Sequence, residues 1–388
     1  MRKLLLSIFL IFIGYFVSSQ NLEIPAFGSD STFEMMTWNI EHFPKNGQTT
    51  VDYVSEIILD LDIDLIAMQE LEDTIVFNQM MTDLQDYEGY FQSSYFAGLA
   101  YIYNSEVISV DTIYEILTTQ PYWRPFPRSP MVMELTFKGK EYIIINNHFK
   151  CCGDGILDIN DDWDEEKRRL DASILLKEYI DDFFENDRVI LTGDLNDDIA
   201  DDPQNNVFNC YIDDPYNYQF VDMDIAQGDV YNWSYPTWPS HLDHILITNA
   251  LFEDFSNEGS AVETLRIDDY FSSWSQYDYR VTDHRPVAIK IFSNTCLGED
   301  ELPESKNELS NYPNPIRNHT TISFTPINSS GRLIEIYNSK GRKIESHKLL
   351  PNQSSINWNA NDVPGGIYIL HLITDNKVID VHKLVVVK

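Results

Sequence analysis

The run RVILTGDLNDD, residues 188–198, leads a short apolar stretch straight into Asp194, Asn196, Asp197 and Asp198. Carboxylates this crowded repel one another, and the crowding is balanced either by water on a turn or by a cation. Comparable polar stops sit at other apolar runs: Asn39 closes TWN, Glu70 closes IAMQE, His148 closes IIINNH, Asp243 lies in SHLDHILI, and Asp283 with His284 opens DHRPVAI. Any one of them is by default a turn former whose side chain bonds nearby backbone. Together they supply what metal-assisted hydrolysis needs: hard oxygen donors for a divalent cation, a carboxylate to orient water, and imidazoles to hold charge. A calcium loop beginning at Asp194 is excluded, because an EF-hand requires Gly at its sixth position and Glu at its twelfth, where Ile199 and Asn205 stand.

Residues scattered this widely meet only if rigid elements aim them at one place, as strand ends do in α/β sheets. FEMMTWNI, DLIAMQE, LAYIY, MVMELTF, YIIINNHF, RVILTG, HILIT and PVAIKIF read as strands. Helical spacing is present over 162–186, where Leu176, Tyr179, Ile180, Phe183 and Phe184 form one apolar face, and over 50–61, with Thr49 or Thr50 as N-cap. Strands and helices interleaved in this way predict one layered α/β domain over 20–297. Residues 298–310 are polar, acidic and without periodicity, a linker. From 311 to 388 short β-rich runs alternate with Asn, Gly and Pro turns, with hairpin signals at Ser339-Lys340-Gly341 and Asp375-Asn376, which predicts a small all-β sandwich.

Taken in order, WNI, QE, NNHFK, GDLN, LDHI and DHRPV resemble the endonuclease/exonuclease/phosphatase superfamily of divalent-metal phosphoesterases, over about residues 33–293. The resemblance implies a four-layer α/β sandwich, two mixed sheets face to face with helices outside. It implies Glu70 as the principal metal ligand, completed by Asn39 and Asp283, for Mg²⁺, Mn²⁺ or Ca²⁺. Asp194 with Asn196 resembles the pair that aligns the attacking water. His284 resembles the histidine on the scissile phosphate, with Asp243 fixing its tautomer. His148 resembles the second histidine of the deoxyribonuclease and sphingomyelinase branches, where abasic-site endonucleases carry Asn. Arg128 and Lys150 are the candidate phosphate-binding cations, with Arg124 a competitor.

Two departures stand against a close deoxyribonuclease analogy. The stretch that would supply an acidic partner for His148 reads Tyr95-Phe96-Ala97 and has no acid, and the KCCGDG insert follows His148. Trp123, Trp233, Tyr235 and Trp238 are candidates to line a cleft and stack on a base, although packing in loops is the default role of such residues.

The formal net charge is −35. All of the excess acid falls before residue 298, and the remainder is neutral. Such a field lacks the basic footprint of a protein that grips nucleic acid by its phosphates, unless bound cations reverse the potential at one cleft. Residues 1–19 combine Arg2 and Lys3 with an apolar run and small residues before Gln20, the pattern of a secretory signal. Export makes disulfides available to Cys151, Cys152, Cys210 and Cys296. Joining Cys151 to Cys152 would close a strained ring, so a bridge from one of them to Cys210 is the expectation.

The C-terminal module resembles the type A sorting domain of the type IX secretion system of Bacteroidetes, on Tyr312-Pro313-Asn314-Pro315, IEIYNSKGRKI, GGIYILHL and the terminal KLVVVK. That implies the type IX machinery as partner and a secreted or cell-surface location. The combined expectation is a monomeric, secreted, metal-dependent phosphodiesterase, foremost an extracellular nuclease. A hydrolase of small phosphoesters or phospholipid headgroups and a non-catalytic binding module are the alternatives.

Overall fold

The computed structural model describes residues 22–93, 97–293, 309–326, 332–338, 342–361, 363–374 and 377–388. The expected signal, Tyr95, Phe96, Cys296, most of the linker and the two hairpin tips lie outside these residues. The chain divides into two compact units, 1–294 and 295–388.

In the first unit the strands are β1 (Thr32–Phe43), β2 (Leu65–Leu71), β3 (Tyr87–Tyr90), β4 (Gly98–Asn104), β5 (Ile108–Glu115), β6 (Met131–Phe137), β7 (Lys140–His148), β8 (Val189–Asp194), β9 (Tyr218–Phe220), β10 (Asp243–Thr248), β11 (Ala261–Thr264) and β12 (Val287–Phe292). They form two six-stranded sheets, ordered β11-β12-β1-β2-β4-β3 and β5-β6-β7-β8-β10-β9. Each sheet holds one parallel pair at its centre, β1 with β2 and β7 with β8, flanked by antiparallel neighbours. A parallel pair ends on one side, so Asn39 lies beside Gln69, and His148 beside Asp194.

Alternation along the strands divides the apolar residues between two faces. Met35, Leu65 and Ala67 meet Met133, Ile144 and Ile190 between the sheets. Met36, Trp38 and Met68 point the other way, onto Val54, Ile58 and Phe77 of the helices α1 (Gln48–Leu61) and α2 (Thr74–Met81). Ile145 and Leu191 pack on Leu176 and Ile180 of α3 (Glu165–Phe183). Each fully buried Leu or Ile contributes roughly 1.5–3 kcal/mol, so both faces of both sheets stabilise the four-layer sandwich.

Details differ from the sequence reading at the helix ends. α1 begins at Gln48 behind Gly47, with no side-chain cap, because the Thr50 hydroxyl accepts from the Asn46 N–H instead. α3 is capped by Asp164, whose carboxylate accepts from Lys167 N–H, and Phe183 is exposed at its end. Close approach of β7 to β8 explains one glycine. Gly193 has φ +144°, and a Cβ there would lie 2.0 Å from the Asn147 carbonyl oxygen.

The second unit carries β13 (Leu309–Tyr312), β14 (His319–Phe324), β15 (Leu333–Asn338), β16 (Lys343–Lys348), β17 (Ser355–Asn359), β18 (Gly366–Thr374) and β19 (Lys377–Val386). Sheets β13-β14-β17 and β16-β15-β18-β19 pair antiparallel and enclose Ile322, Ile334, Ile336, Leu370 and Leu384. Trp358 is buried in this core with its indole N–H on Glu345.

Candidate active site

Beneath the joined strand ends a buried amide pair ties the two sheets together. Gln69 donates to Asn146 Oδ1 at 2.7 Å, and Asn146 donates back to the carbonyls of Met68 and Ala100. Fully satisfied buried polar groups of this kind hold a site in register. Above them opens a cleft of about 850 Å³ lined by Asn39, Glu70, His148, Asp194, Asn196, Asp283 and His284, among others. Glu70 and Asp283 share this cleft, though they come from opposite sides of β1.

Asp194 is the centre of the arrangement. Its Oδ2 accepts from Asn39 Nδ2 at 2.9 Å and lies 3.5 Å from His148 Nε2 and 3.8 Å from His284 Nε2. Burial raises its pKa to about 7, with Asp243 and Glu70 adding to the rise and His284 and Asn39 opposing it. His284 Nδ1 bonds Asp243 Oδ2 at 2.8 Å. Burial disfavours its charged ring, but Asp243, Asp194 and Asp283 more than offset this and raise its pKa to about 10. His148 goes the other way: burial first, then Arg128, His284 and His42, hold it well below the ordinary histidine value. Its Nδ1 is buried with no hydrogen-bond partner among the described residues. At neutral pH the site therefore holds one cationic and one neutral imidazole around Asp194, which is itself near its own midpoint.

Backbone strain gathers at the same place. Glu41, His42, Glu70, Cys152 and Asn196 are non-glycine residues at positive φ, and all five line the cleft. Such conformations cost about 1–3 kcal/mol each, persist only where the surrounding structure enforces them, and cluster at functional sites. Glu41 escaped the sequence reading, although it stands two residues after Asn39 in WNIEH and so shares its face. Its carboxylate accepts from Asp283 N–H at 3.0 Å and pairs with Lys45. Burial raises its pKa, with Lys45 pulling it down and Asp283 adding to the rise.

The donor chemistry fits a hard divalent cation. Glu70, Asp194, Glu41 and Asp283 present carboxylates to the cleft, yet Arg169 is the one lysine or arginine among its described lining residues. That guanidinium is committed to Asp197, Glu166 and the carbonyls of Lys150 and Cys152. Glu70, Asn39 and Asp283, the ligands expected from the sequence, all line this cleft. Asp194, Asp243 and His284 also bring donor atoms within 4.8 Å of one another, but a ring charged at neutral pH has no lone pair to offer.

The same test rejects a second cluster, Asp222 with His241 and His244. Ser234 N–H points at His241 Nδ1, so His241 carries its proton on Nε2 and donates it to Asp222. His244 faces acceptors at both nitrogens, Asp222 Oδ2 at 2.7 Å and the Asp197 carbonyl at 2.8 Å. It is therefore an imidazolium, its pKa raised by Asp222 against the opposing effect of burial. Asp222 is correspondingly held below the usual carboxylate range, its burial outweighed by the two histidines.

Among the remaining expectations, Asn196 lies on the cleft with its backbone N–H on Asp194. Arg128 is tethered through Nε to the Ala97 carbonyl and lies near enough to depress the His148 pKa. Lys150 turns away, onto the Cys151 carbonyl and Glu165, outside the cleft lining. Arg124 is occupied by Asp171. Trp233, Tyr235 and Trp238 form part of the wall, with Trp238 78% exposed and the Tyr235 ring 4.9 Å from that of His284. Trp123 is exposed elsewhere, donating to the Thr118 carbonyl.

Comparison with known sequences decides the family. The profile of the Endonuclease/Exonuclease/phosphatase family matches residues 36–284, which span every cleft residue discussed above. The chain belongs to this family. It is therefore a phosphoester hydrolase of a divalent-metal-dependent family. The profile of the secretion system C-terminal sorting domain matches residues 310–387, making this a secreted member of the family. No helix among the described residues is long and apolar enough to cross a membrane.

None of the curated proteins matches the chain. Among solved structures, TDP2 of D. rerio complexed with single strand DNA product is similar at TM-score 0.51 and 14% identity, over 68% of this chain and 99% of that one. The human Nocturnin catalytic domain with bound sulfate anion is similar at 0.47 and 16%, over 67% and 93%. An endonuclease/exonuclease/phosphatase from Bacteroides vulgatus gives 0.46 and 15%, over 67% and 98%.

Proposed function

We propose that the protein is an extracellular phosphodiesterase acting on nucleic acid by direct attack of water, with no covalent intermediate. The observation that carries this reading is the pair of buried imidazoles whose Nε2 atoms lie 3.5 Å and 3.8 Å from the same Asp194 oxygen, on the floor of an open cleft. A pKa near 7 suits Asp194 to hold a water and take its proton close to neutral pH. His284, kept charged by Asp243, stabilises the negative charge that grows on the non-bridging oxygens. His148, neutral and with Nε2 turned to Asp194 and Glu70, carries its proton on that nitrogen and donates it toward the phosphate or the leaving oxygen. A hard dication on Glu70, Asn39 and Asp283 supplies further charge neutralisation when bound. Trp233, Tyr235 and Trp238 offer faces on which bases stack. Arg128, outside the cleft lining but close enough to His148 to depress its pKa, is the candidate cation for substrate phosphate, and Asn196 positions water beside Asp194.

A second reading rests on the acidity of the wall, where Asp154, Asp197, Asp198 and Asp201 face the cleft and Arg169, the one lysine or arginine among the described lining residues, is bound to other partners. It favours small phosphoesters over long polyanions. The full-length protein, given Mg²⁺, Mn²⁺ or Ca²⁺, should degrade plasmid DNA and RNA, and EDTA should abolish this. Turnover of p-nitrophenyl phosphate with both polymers intact would reject the nuclease in favour of the second reading. Export by the type IX route further implies removal of an N-terminal signal before Gln20 and of the sorting domain, both visible as new termini on the external protein.

A further inference from the structure

The expected bridge to Cys210 does not form. Cys151, Cys152 and Cys210 are free thiols, and the first two are exposed. Cys210 packs against the core beside α3, where burial pushes its thiol up to about 12 and makes it inert. Cys151 and Cys152 instead stand side by side on the cleft wall, with sulphur atoms 3.0 Å apart. That is well inside the roughly 3.5–4.0 Å at which non-bonded heavy atoms rest.

The turn is held in this state from outside. Arg169 donates to the carbonyls of Lys150 and Cys152, one on each side of the Cys151 carbonyl, both at 2.8 Å. Cys152 adopts φ +71°, and Gly153 follows at φ +109°, where a Cβ would lie 2.2 Å from Glu166 Oε1. Glu166 in turn accepts from Gly155 N–H at 2.7 Å. A buried Arg169–Glu166 pair thus fixes the backbone around both cysteines and presents their sulphurs to each other.

We infer that Cys151 and Cys152 are a thiol–disulfide site, which closes to an eight-membered vicinal ring on the wall of the cleft. The oxidant is a disulfide of the oxidising exterior, small-molecule or protein. The Cys151 thiolate attacks one of its sulphurs and expels a thiolate; Cys152, losing its proton, then displaces the second sulphur. The two cysteines lose two electrons and two protons, and the oxidant leaves as two thiols. Adjacent Cα atoms are about 3.8 Å apart, below the usual disulfide span of roughly 4.4–6.8 Å, so the ring is strained and readily reopened by thiols. The strain that argued against this pairing in the sequence thus becomes the property that makes the site reversible.

The test uses full-length protein recovered from outside the producing cells, denatured and alkylated without reductant, then cut with trypsin. Cleavage after Lys150 and Lys167 leaves both cysteines on one peptide, 151–167. The expected peptide carries no alkyl group, is lighter than the dithiol by two hydrogen atoms, and gains two alkyl groups only after reduction. In Cys151→Ser, Cys152 should become alkylatable at once. Alkylation of both cysteines before reduction, a link to the Cys210 or Cys296 peptide, or a small thiol cap on either residue would overturn the proposal.

Discussion

Two aspartate–histidine pairs lie side by side on β10, and their fates differ. Asp243 and His244 are consecutive, so the pleat sends them to opposite faces of the sheet. Asp243, buried behind the cleft wall, turns to His284 and charges it, and the other nitrogen of that ring looks toward Asp194 and the space where substrate would sit. His244 turns to the helical layer, where Asp222 charges it and its other nitrogen is stopped by the Asp197 carbonyl. The chemistry of the two pairs is the same; what differs is the partner of the second nitrogen. An imidazolium with one free face can act on a substrate, whereas one closed on both sides can only hold the loop that follows Asp194.

That contrast can be broken by exchange. His284→Gln, which keeps an N–H donor for Asp243, should lower kcat by about 10²–10⁴-fold in a protein that remains folded. His244→Phe should do the reverse in kind, costing about 3–5 kcal/mol in denaturant unfolding because Asp222 is left buried without its cation. If His284→Gln unfolds the protein, or His244→Phe loses turnover at undiminished stability, the distinction fails. The pH dependence of kcat/KM sharpens it further. The rate should rise as Asp194 loses its proton, at or below about 7 because a bound cation lowers that pKa, and fall as His284 loses its proton near 10. In Asp243→Asn the falling limb should move to lower pH, since the largest favourable influence on His284 is gone.

A smaller effect is expected at the opposite ends of the same strands. Asp64 accepts from Glu34 N–H at 3.0 Å, and burial, then Glu34, raises its pKa to about 8. A carboxyl raised above its unfolded value of 3.8 binds its proton more tightly when folded, so its contribution to stability is complete below that value and is lost as pH rises toward 8. Asp64→Asn, which mimics the protonated acid, should therefore raise the melting temperature at pH 8–9 by the equivalent of ~1 kcal/mol and change little at pH 4. An unchanged pH dependence of melting in the variant would remove Asp64 as the cause.

The strand-end residues were legible because each interrupts an apolar run, and interruption at a strand end is a one-dimensional signal. Asn39, Glu70, His148, Asp194 and His284 could be read this way, and the structure brings them into one cleft. The alternation of strands and helices made a layered α/β domain legible, while the count of four layers came only with the family resemblance; β3, β5, β9 and β11 were not legible, being short or lacking a continuous apolar run. What escaped was paired rather than punctuated. Asp222 and His244 are 22 positions apart and unremarkable singly. Glu166 and Arg169 lie in a charged stretch, EEKRR, that reads as a solvated helix face, yet both are 2% exposed. The cysteine expectation failed for a related reason: proximity in sequence was counted as strain, and the clamp that enforces it lies elsewhere in the chain.

Arg169 has a consequence for how the enzyme can change. One guanidinium fastens the loop after β7 and the loop after β8 to the first turns of α3, so the two cannot drift independently. A mutation that widens one bank must carry the other with it, and new substrate preferences in this scaffold would have to arise on the opposite shore, among the aromatic residues around Trp238.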